Sequence, residues 1–123
     1  MDNNKKTWKQ AIKLIPNGNL FLSKNPSRFL KNHWPTYFSK SKGCEVWDLN
    51  NKKYYDLSLM GVGTNILGYA NNKVDKEVKK VIKKGNLTTL NCPEDVQLAK
   101  KLVSLHPWAN MARFAKTGGE ANS

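Results

Sequence analysis

The sequence predicts an α/β fold in which a small antiparallel sheet precedes two amphipathic helices and a final glycine turn. Two segments repeat apolar residues at helical spacing, and two short runs rich in aromatic and β-branched residues flank a polar turn. In the last segment a short apolar run meets two adjacent glycines. At 123 residues, 39% of them hydrophobic, the chain is long enough for one domain or part of a larger one.

A short amphipathic helix is predicted over residues 7–15. Its apolar residues, which include Trp8 and Ala11, share one face. Thr7 is the predicted N-cap, and the Pro-Asn-Gly sequence at 16–18 is predicted to end the helix. Residues 19–36 contain two prolines and no clean periodicity, which predicts an irregular arm.

Three strands are predicted at residues 36–38, 45–49 and 54–58. The last two flank an Asn-Asn-Lys-Lys sequence at 50–53. Asparagine tolerates left-handed backbone angles, so this turn favours a hairpin. A small antiparallel sheet is the expected product.

Residues 58–69 are apolar and glycine-rich, with Gly61, Gly63 and Gly68. Their spacing matches neither the dinucleotide-binding fingerprint nor the phosphate loop that ends in Gly-Lys-Ser/Thr. Glycine at this density permits tight turns and the close approach of a ligand or another chain. The loop is therefore either a packed turn that leads into a helix or part of an active site.

Two helices follow, at residues 72–84 and 93–105. In the first, valines and an isoleucine recur at helical spacing while lysines cover the other face, and Gly85 suits the C-terminal cap. In the second, Pro93 fits the first turn, and acidic residues follow at the positive end of the helix dipole. Residues 110–115 are then predicted to form a strand.

The glycine turn after that strand is a candidate anion site. If a helix begins near Gly119 or Glu120, its first amides have no partners within the helix and can bind a phosphate. The glycines Gly118 and Gly119 leave room for close approach, and Thr117 adds a hydroxyl donor. A plain connector between two elements has the same pattern, so both interpretations stay open at this point.

The net charge of +12 raises the possibility of a nucleic-acid partner. Arg28 and Arg113 are the two arginines among 21 basic residues, and the lysines are scattered along predicted helix faces. A solvated surface explains this pattern better than a nucleic-acid face does. No apolar run suggests a membrane span or a secretory signal, so a cytoplasmic protein is expected.

Cysteines and histidines suggest no further site. Cys44 and Cys92 are far apart in the sequence, which argues against a disulfide framework. His33 and His106 have no cysteine or carboxylate at ligand spacing, so no metal site is expected.

Five motifs, in order, resemble those of class III (fold-type I) pyridoxal-phosphate-dependent aminotransferases. Within that class the chain looks most like glutamate-1-semialdehyde 2,1-aminomutase and its relatives. The motifs are the early turn at 15–18 (IPNG), the hairpin at 43–58 (GCEVWDLNNKKYYDLS), the loop at 60–74 (MGVGTNILGYANNKV), the helix at 93–102 (PEDVQLAKKL) and the end at 111–121 (MARFAKTGGEA).

The resemblance implies a domain plan and a cofactor. Residues 1–35 would form the N-terminal helix and arm, and 36–70 the small-domain hairpin with its glycine-rich loop. Residues 71–109 would supply helices leading to the large domain, and 110–123 its first strand and phosphate cup. Pyridoxal 5'-phosphate would be held by the glycine turn and, in the family, by a lysine as a Schiff base.

The resemblance also implies which residues serve the site. Thr117, Gly118 and Gly119 would bind the cofactor phosphate. The catalytic lysine matches none of the lysines here, so the chain is expected to be an inactive N-terminal piece of a longer enzyme. Such enzymes use an amino donor and a carbonyl acceptor and act as homodimers.

The substrate side departs from the aminomutase pattern. Arg28 is a possible counterpart of an early arginine that contacts a substrate carboxylate, although its spacing is longer. Gly61, Val62 and Gly63 would bind substrate, but their loop lacks the aromatic residue common near the substrate in aminomutases. An aminotransferase acting on a sugar or a small carbonyl compound is therefore equally compatible, and the wording of two segments resembles members found with bacterial surface-sugar pathways. A non-catalytic interaction subunit and a basic nucleic-acid-binding module are the alternatives.

Overall fold

The computed structural model describes residues 2–30, 32–58 and 60–123. One helix, three 3₁₀ turns and a three-stranded sheet are followed by three further helices. The chain forms two compact units, Met1–Ile82 and Lys83–Ser123. The predicted α/β class is confirmed, while the division into four segments stays a prediction. No helix within the described ranges is long and apolar enough to cross a membrane.

Helix α1 spans Asn3–Leu14 and begins earlier than predicted. Its N-cap is Asp2, whose carboxylate accepts hydrogen bonds from the amides of Asn4 and Lys5. The prediction of Thr7 as the cap is wrong because an acceptor further upstream satisfies the first amides. The helix ends as predicted: the Ile15 amide bonds to Ala11, and proline follows.

The arm after α1 consists of three 3₁₀ turns, Pro16–Gly18, Leu22–Lys24 and Pro26–Arg28. The first turn folds back against the helix. A Cβ added at Gly18 would lie 2.7 Å from Cη2 of the Trp8 ring, so only glycine allows this approach. The irregular arm predicted from the sequence is thus built from short turns.

The sheet is antiparallel with the order β1-β2-β3, formed by Phe38–Lys42, Glu45–Asp48 and Lys53–Tyr55. The hairpin is confirmed: Trp47 pairs with Lys53, and Asn51 takes the left-handed angle φ 60° in the turn.

Strand β1 begins later than the predicted strand 36–38. The amide of Tyr37 donates to the Asn4 side chain and so does not serve the sheet. The third strand stops at Tyr55, earlier than predicted, because the chain then enters the glycine-rich loop. Strand β1 has the polar sequence FSKSK, which contains no alternation of apolar and polar residues from which to predict a strand.

Helices α2, Asn72–Lys84, and α3, Pro93–Leu105, match their predicted bounds. The apolar face of α2 is nevertheless about half exposed, with Val78 at 49% and Ile82 at 59%. Among the described residues, Ala11 is the one buried hydrophobic residue. The helices are therefore set by local sequence more than by a packed core.

The predicted strand at 110–115 is wrong, because the structure shows no strand there. Residues 111–115 have no ladder partner among the described strands. A strand needs hydrogen bonds from a neighbour, and apolar β-type composition alone does not supply one. The segment leads into helix α4, Gly118–Ala121.

Candidate functional site

The glycine turn begins with a capping box. The Oγ1 of Thr117 accepts a hydrogen bond from the Glu120 amide at 3.3 Å. In return, the Glu120 carboxylate accepts one from the Thr117 amide at 3.2 Å and another from Lys116 at 2.9 Å. The helix therefore starts at Gly118, one or two residues earlier than predicted. The Thr-x-x-Glu spacing was a sequence signal for this start.

Two amides of the turn remain without an acceptor. Within the described part of the chain, the backbone N–H groups of Gly118 and Gly119 donate no hydrogen bond. They are the first two residues of α4, where the helix offers them no partner. The Thr117 hydroxyl accepts from Glu120 and keeps its own hydrogen available to donate. The turn thus offers three donors from consecutive residues.

The space beside these donors is open. A Cβ added at Gly118 meets nothing within 4 Å, and one added at Gly119 meets only Thr117 Oγ1, at 3.9 Å. Neither glycine has a positive φ. The chain's own backbone and packing therefore do not require glycine here, although glycine weakens a helix by roughly 0.5–1 kcal/mol relative to alanine. An external group that approaches the amides closely is a physical reason for both glycines.

The glycine-rich loop contains four consecutive left-handed residues. Their φ angles are 43° at Met60, 75° at Gly61, 61° at Val62 and 77° at Gly63. A β-branched residue is rarely found there, because its side chain crowds the following carbonyl oxygen. Two side chains donate hydrogen bonds within the turn: the Thr64 hydroxyl to the Gly61 carbonyl at 2.8 Å, and the Asn65 side-chain amide to the Met60 carbonyl at 3.2 Å.

The ends of this loop are joined by Asp56 and Tyr69. The Tyr69 hydroxyl donates to Asp56 Oδ2 at 2.5 Å. Burial and then this hydrogen bond raise the pKa of Tyr69 to about 12. Hydrogen bonds from Ser58 and then Tyr69 lower the pKa of Asp56. Sequence reasoning missed this pair, since no local pattern links residues 13 positions apart.

Arg28 ends the 3₁₀ turn Pro26–Arg28 and is exposed. No described hydrogen bond or ion pair links it to Gly61, Val62 or Gly63. The glycine turn belongs to the unit Lys83–Ser123 and the loop to the unit Met1–Ile82. The substrate roles of these four residues therefore stay predictions.

Metal-binding groupings are not found in the described ranges. No three or more His, Cys, Asp or Glu side chains there lie together. Cys44 and Cys92 are both exposed free thiols, and the Cys92 thiol donates to Glu94 at 2.9 Å.

The decisive comparison is with protein families. The model of the family "Aminotransferase class-III" matches residues 29–123. The chain belongs to the class-III aminotransferase family.

Two curated relatives are glutamate-1-semialdehyde 2,1-aminomutases. The one from Methanococcoides burtonii is 33% identical over 98% of this chain and 27% of its own length. The one from Aquifex aeolicus is 34% identical over 96% of this chain and, again, 27% of its own length.

Solved structures agree with the family. The PLP internal aldimine form of the Sphingopyxis sp. MTA144 FumI protein matches with TM-score 0.86 and 26% identity. That match covers 97% of this chain and 28% of the FumI chain. An omega-transaminase from Sphaerobacter thermophilus matches with TM-score 0.84 at 19% identity, covering 98% of this chain and 26% of its own, and shows the fold alone.

These matches confirm the fold-type I transferase architecture and pyridoxal phosphate as the cofactor of the family. The chain spans about a quarter of the length of the relatives it matches, 27% in both aminomutases. The residues of the glycine turn fit the cofactor's phosphate, because they offer two amides, a hydroxyl and an open approach.

Proposed function

We propose that the protein carrying this chain is a pyridoxal-phosphate-dependent aminotransferase or aminomutase, and that the glycine turn holds the cofactor phosphate. The observation that carries the proposal is the pair of unbonded amides at Gly118 and Gly119 beside open space, in a chain of this family. A phosphate placed there accepts both amides and the Thr117 hydroxyl.

The chain's own contribution is binding and orientation. The short helix α4 places its positive end at the phosphate, and the capping box fixes Thr117 so that its hydroxyl faces the same turn as the two amides. The Glu120 carboxylate is held by the amides of Lys116 and Thr117, and it leaves the glycine amides to the ligand. Bound pyridoxal phosphate supplies an electron sink for the reaction at the substrate's α carbon.

The substrate side of the proposal uses Arg28 and the loop residues Gly61, Val62 and Gly63. The Arg28 guanidinium is exposed and suits a substrate carboxylate, to which it can donate two parallel hydrogen bonds. Residues 60–63 form a left-handed turn, a conformation that glycine permits and valine resists. An amino donor and a carbonyl acceptor are the proposed substrates, with a sugar carbonyl of a surface-polymer pathway among the acceptors.

The remaining expectations belong to the same proposal. A cytoplasmic homodimer is proposed for the whole protein. The 123 residues alone are proposed to bind phosphate without transferring amino groups, because none of their lysines matches the family's cofactor lysine. Neither aminomutase nor aminotransferase activity is preferred, since the loop lacks the aromatic residue typical of the former.

Alanine at Gly119 tests the phosphate role. In the complete gene product, Gly119→Ala places a methyl group where the phosphate approaches, and we expect pyridoxal phosphate to bind at least about tenfold more weakly, or about 1.4 kcal/mol. The measurement is a titration followed by the cofactor's visible absorbance.

The control is Gly85→Ala, which lies outside the glycine turn; its added Cβ meets nothing within 4 Å, and its φ of 89° adds backbone strain, so it tests whether a general loss of stability weakens cofactor binding. Its cofactor affinity should equal that of the wild type. Equal affinity in the wild type and Gly119→Ala would show that the turn is a plain connector.

A further inference from the structure

The glycine-rich loop, residues 57–68, is closed at its base by a neck made of Gly43, Asp56 and Tyr69. Tyr69 pairs with Gly43 through two backbone hydrogen bonds of 2.9 and 2.8 Å. Its hydroxyl also donates to Asp56 at 2.5 Å, and the Asp56 amide donates to the Cys44 carbonyl at 2.8 Å. Backbone and side-chain hydrogen bonds therefore hold the two ends of the loop together at the neck.

Among the described residues, hydrogen bonds tie the loop to the rest of the chain only through this neck and through Asn71, two positions after Tyr69. Described at every position except 59, the loop makes bonds within itself and bonds from Ser58 to Asp56. One weak bond of 3.4 Å comes from the Asn71 side chain to Leu67. The loop's side chains are mostly exposed, with Val62 at 71% and Ile66 at 84%, so packing does not replace these ties.

The conformation that the neck supports is strained. Met60 and Val62 are held at positive φ, a region of backbone space that residues with a side chain rarely adopt. Such strain persists only when the surroundings determine it, and it concentrates at functional sites. A loop with few hydrogen bonds to the rest of the chain keeps this strained conformation only if its two ends are held in place.

We propose that Asp56 and Tyr69 are positioning residues that hold the loop in the conformation that receives substrate. This inference rests on the proposed function of Gly61, Val62 and Gly63. Neither Asp56 nor Tyr69 needs to touch the substrate, since both act by fixing the two ends of the loop. When their hydrogen bond is lost, the loop samples more conformations, and substrate binding must order it.

Removal of the Tyr69 hydroxyl is the test. In the complete gene product with its cofactor, Tyr69→Phe should raise KM for the amino donor or acceptor about tenfold, because a hydrogen bond to a carboxylate is lost. Cofactor affinity should not change, because Tyr69 is not one of the residues proposed to hold the phosphate. Hydrogen exchange at residues 60–68 should become faster.

The matched control is Tyr54→Phe. The Tyr54 hydroxyl also donates to a carboxylate, that of Asp48 at 3.3 Å, but this bond spans the hairpin turn and does not touch the glycine-rich loop. Tyr54→Phe should leave KM and the exchange of 60–68 unchanged.

Two variants at Asp56 test the same role in case Tyr69→Phe does not fold. Asp56→Ala should raise KM at least as much as Tyr69→Phe, because it also removes the two bonds from Ser58. Asp56→Asn should restore part of the loss, because an amide oxygen still accepts from the tyrosine. An active wild-type enzyme whose Tyr69→Phe and Asp56→Ala variants keep KM would overturn the positioning role alone. A wild-type protein that binds pyridoxal phosphate but transfers no amino group would overturn the proposed function, and the positioning role with it.

Discussion

The side-chain amide of Asn4 donates a hydrogen bond of 3.1 Å to the carboxylate of Asp48, across 44 positions of sequence. Both residues are buried, at 6% and 4% exposure. The same carboxylate accepts the amides of Asn50 and Lys52, at 2.8 and 2.9 Å, so it orders the hairpin turn as well. One acidic side chain therefore joins the start of α1 to the end of β2.

Replacement of Asn4 should loosen that junction. Asn4→Ala removes the donor to Asp48 and the acceptor of the Tyr37 amide, and it leaves a buried carboxylate with one bond fewer. We expect the free energy of unfolding to fall by about 1–3 kcal/mol, measured by urea denaturation of the complete gene product.

Gln10→Ala is the control for the Asn4 variant, since Gln10 lies exposed on the same helix. Its effect should stay within about 0.5 kcal/mol. If Asn4→Ala were no more destabilising than Gln10→Ala, the junction would contribute nothing measurable.

A methyl group at Gly68 should disturb the neck of the loop. Gly68 has φ 89°, and an added Cβ would lie 3.2 Å from the Gly43 Cα. Gly68→Ala therefore combines left-handed strain, roughly 1–2 kcal/mol, with crowding against Gly43, the residue that Tyr69 pairs with. Hydrogen exchange at the Tyr69 amide, which bonds to Gly43, should accelerate.

Gly85 separates the two causes, because it has the same φ of 89° and an added Cβ there meets nothing within 4 Å. Gly85→Ala should show the strain alone and leave exchange at Tyr69 unaltered. Equal destabilisation by the two variants would mean that the close approach at Gly43 relaxes without cost.

The elements that the sequence predicted best are those fixed by neighbours along the chain. Helices α2 and α3 have the predicted bounds because their apolar spacing, the proline at the start of α3 and the glycine after α2 all act within a few residues. The hairpin turn at 50–53 was predictable for the same reason. The Thr117-Glu120 capping box is equally local, because its Thr-x-x-Glu spacing is a sequence signal for a helix start.

The elements that the sequence did not predict depend on distant partners. Asp2 rather than Thr7 caps α1, and the Asn50 side chain also donates to Asp2, at 3.0 Å. The strand expected at 110–115 has no described partner to pair with. The bond between Asp56 and Tyr69 joins residues whose own surroundings give no periodic signal.

The pKa of Tyr69 measures directly whether the Tyr69 hydroxyl bonds to Asp56 at the neck of the loop. The pKa of Tyr69 is raised from 10.0 to about 12, and burial is the largest cause, followed by the hydrogen bond to Asp56. Because the folded pKa is raised, the stability that Tyr69 contributes is fully present below pH 10.0 and is lost as the pH rises through about 12. Asp56 has a pKa lowered from 3.8, so its contribution is present above that pH and is lost as the pH falls through the lower folded value.

The neck should therefore be insensitive to pH between about 5 and 9, where both groups keep their charge states. In Asp56→Asn the pKa of Tyr69 should fall towards 10.0 and remain above it, because burial is the largest cause of the shift and is retained. Ultraviolet difference titration, with Tyr69→Phe subtracted to isolate this tyrosine, measures the change. A Tyr69 that titrates alike in the wild type and in Asp56→Asn would show that the hydroxyl does not bond to Asp56 in solution, and the loop would then need another support.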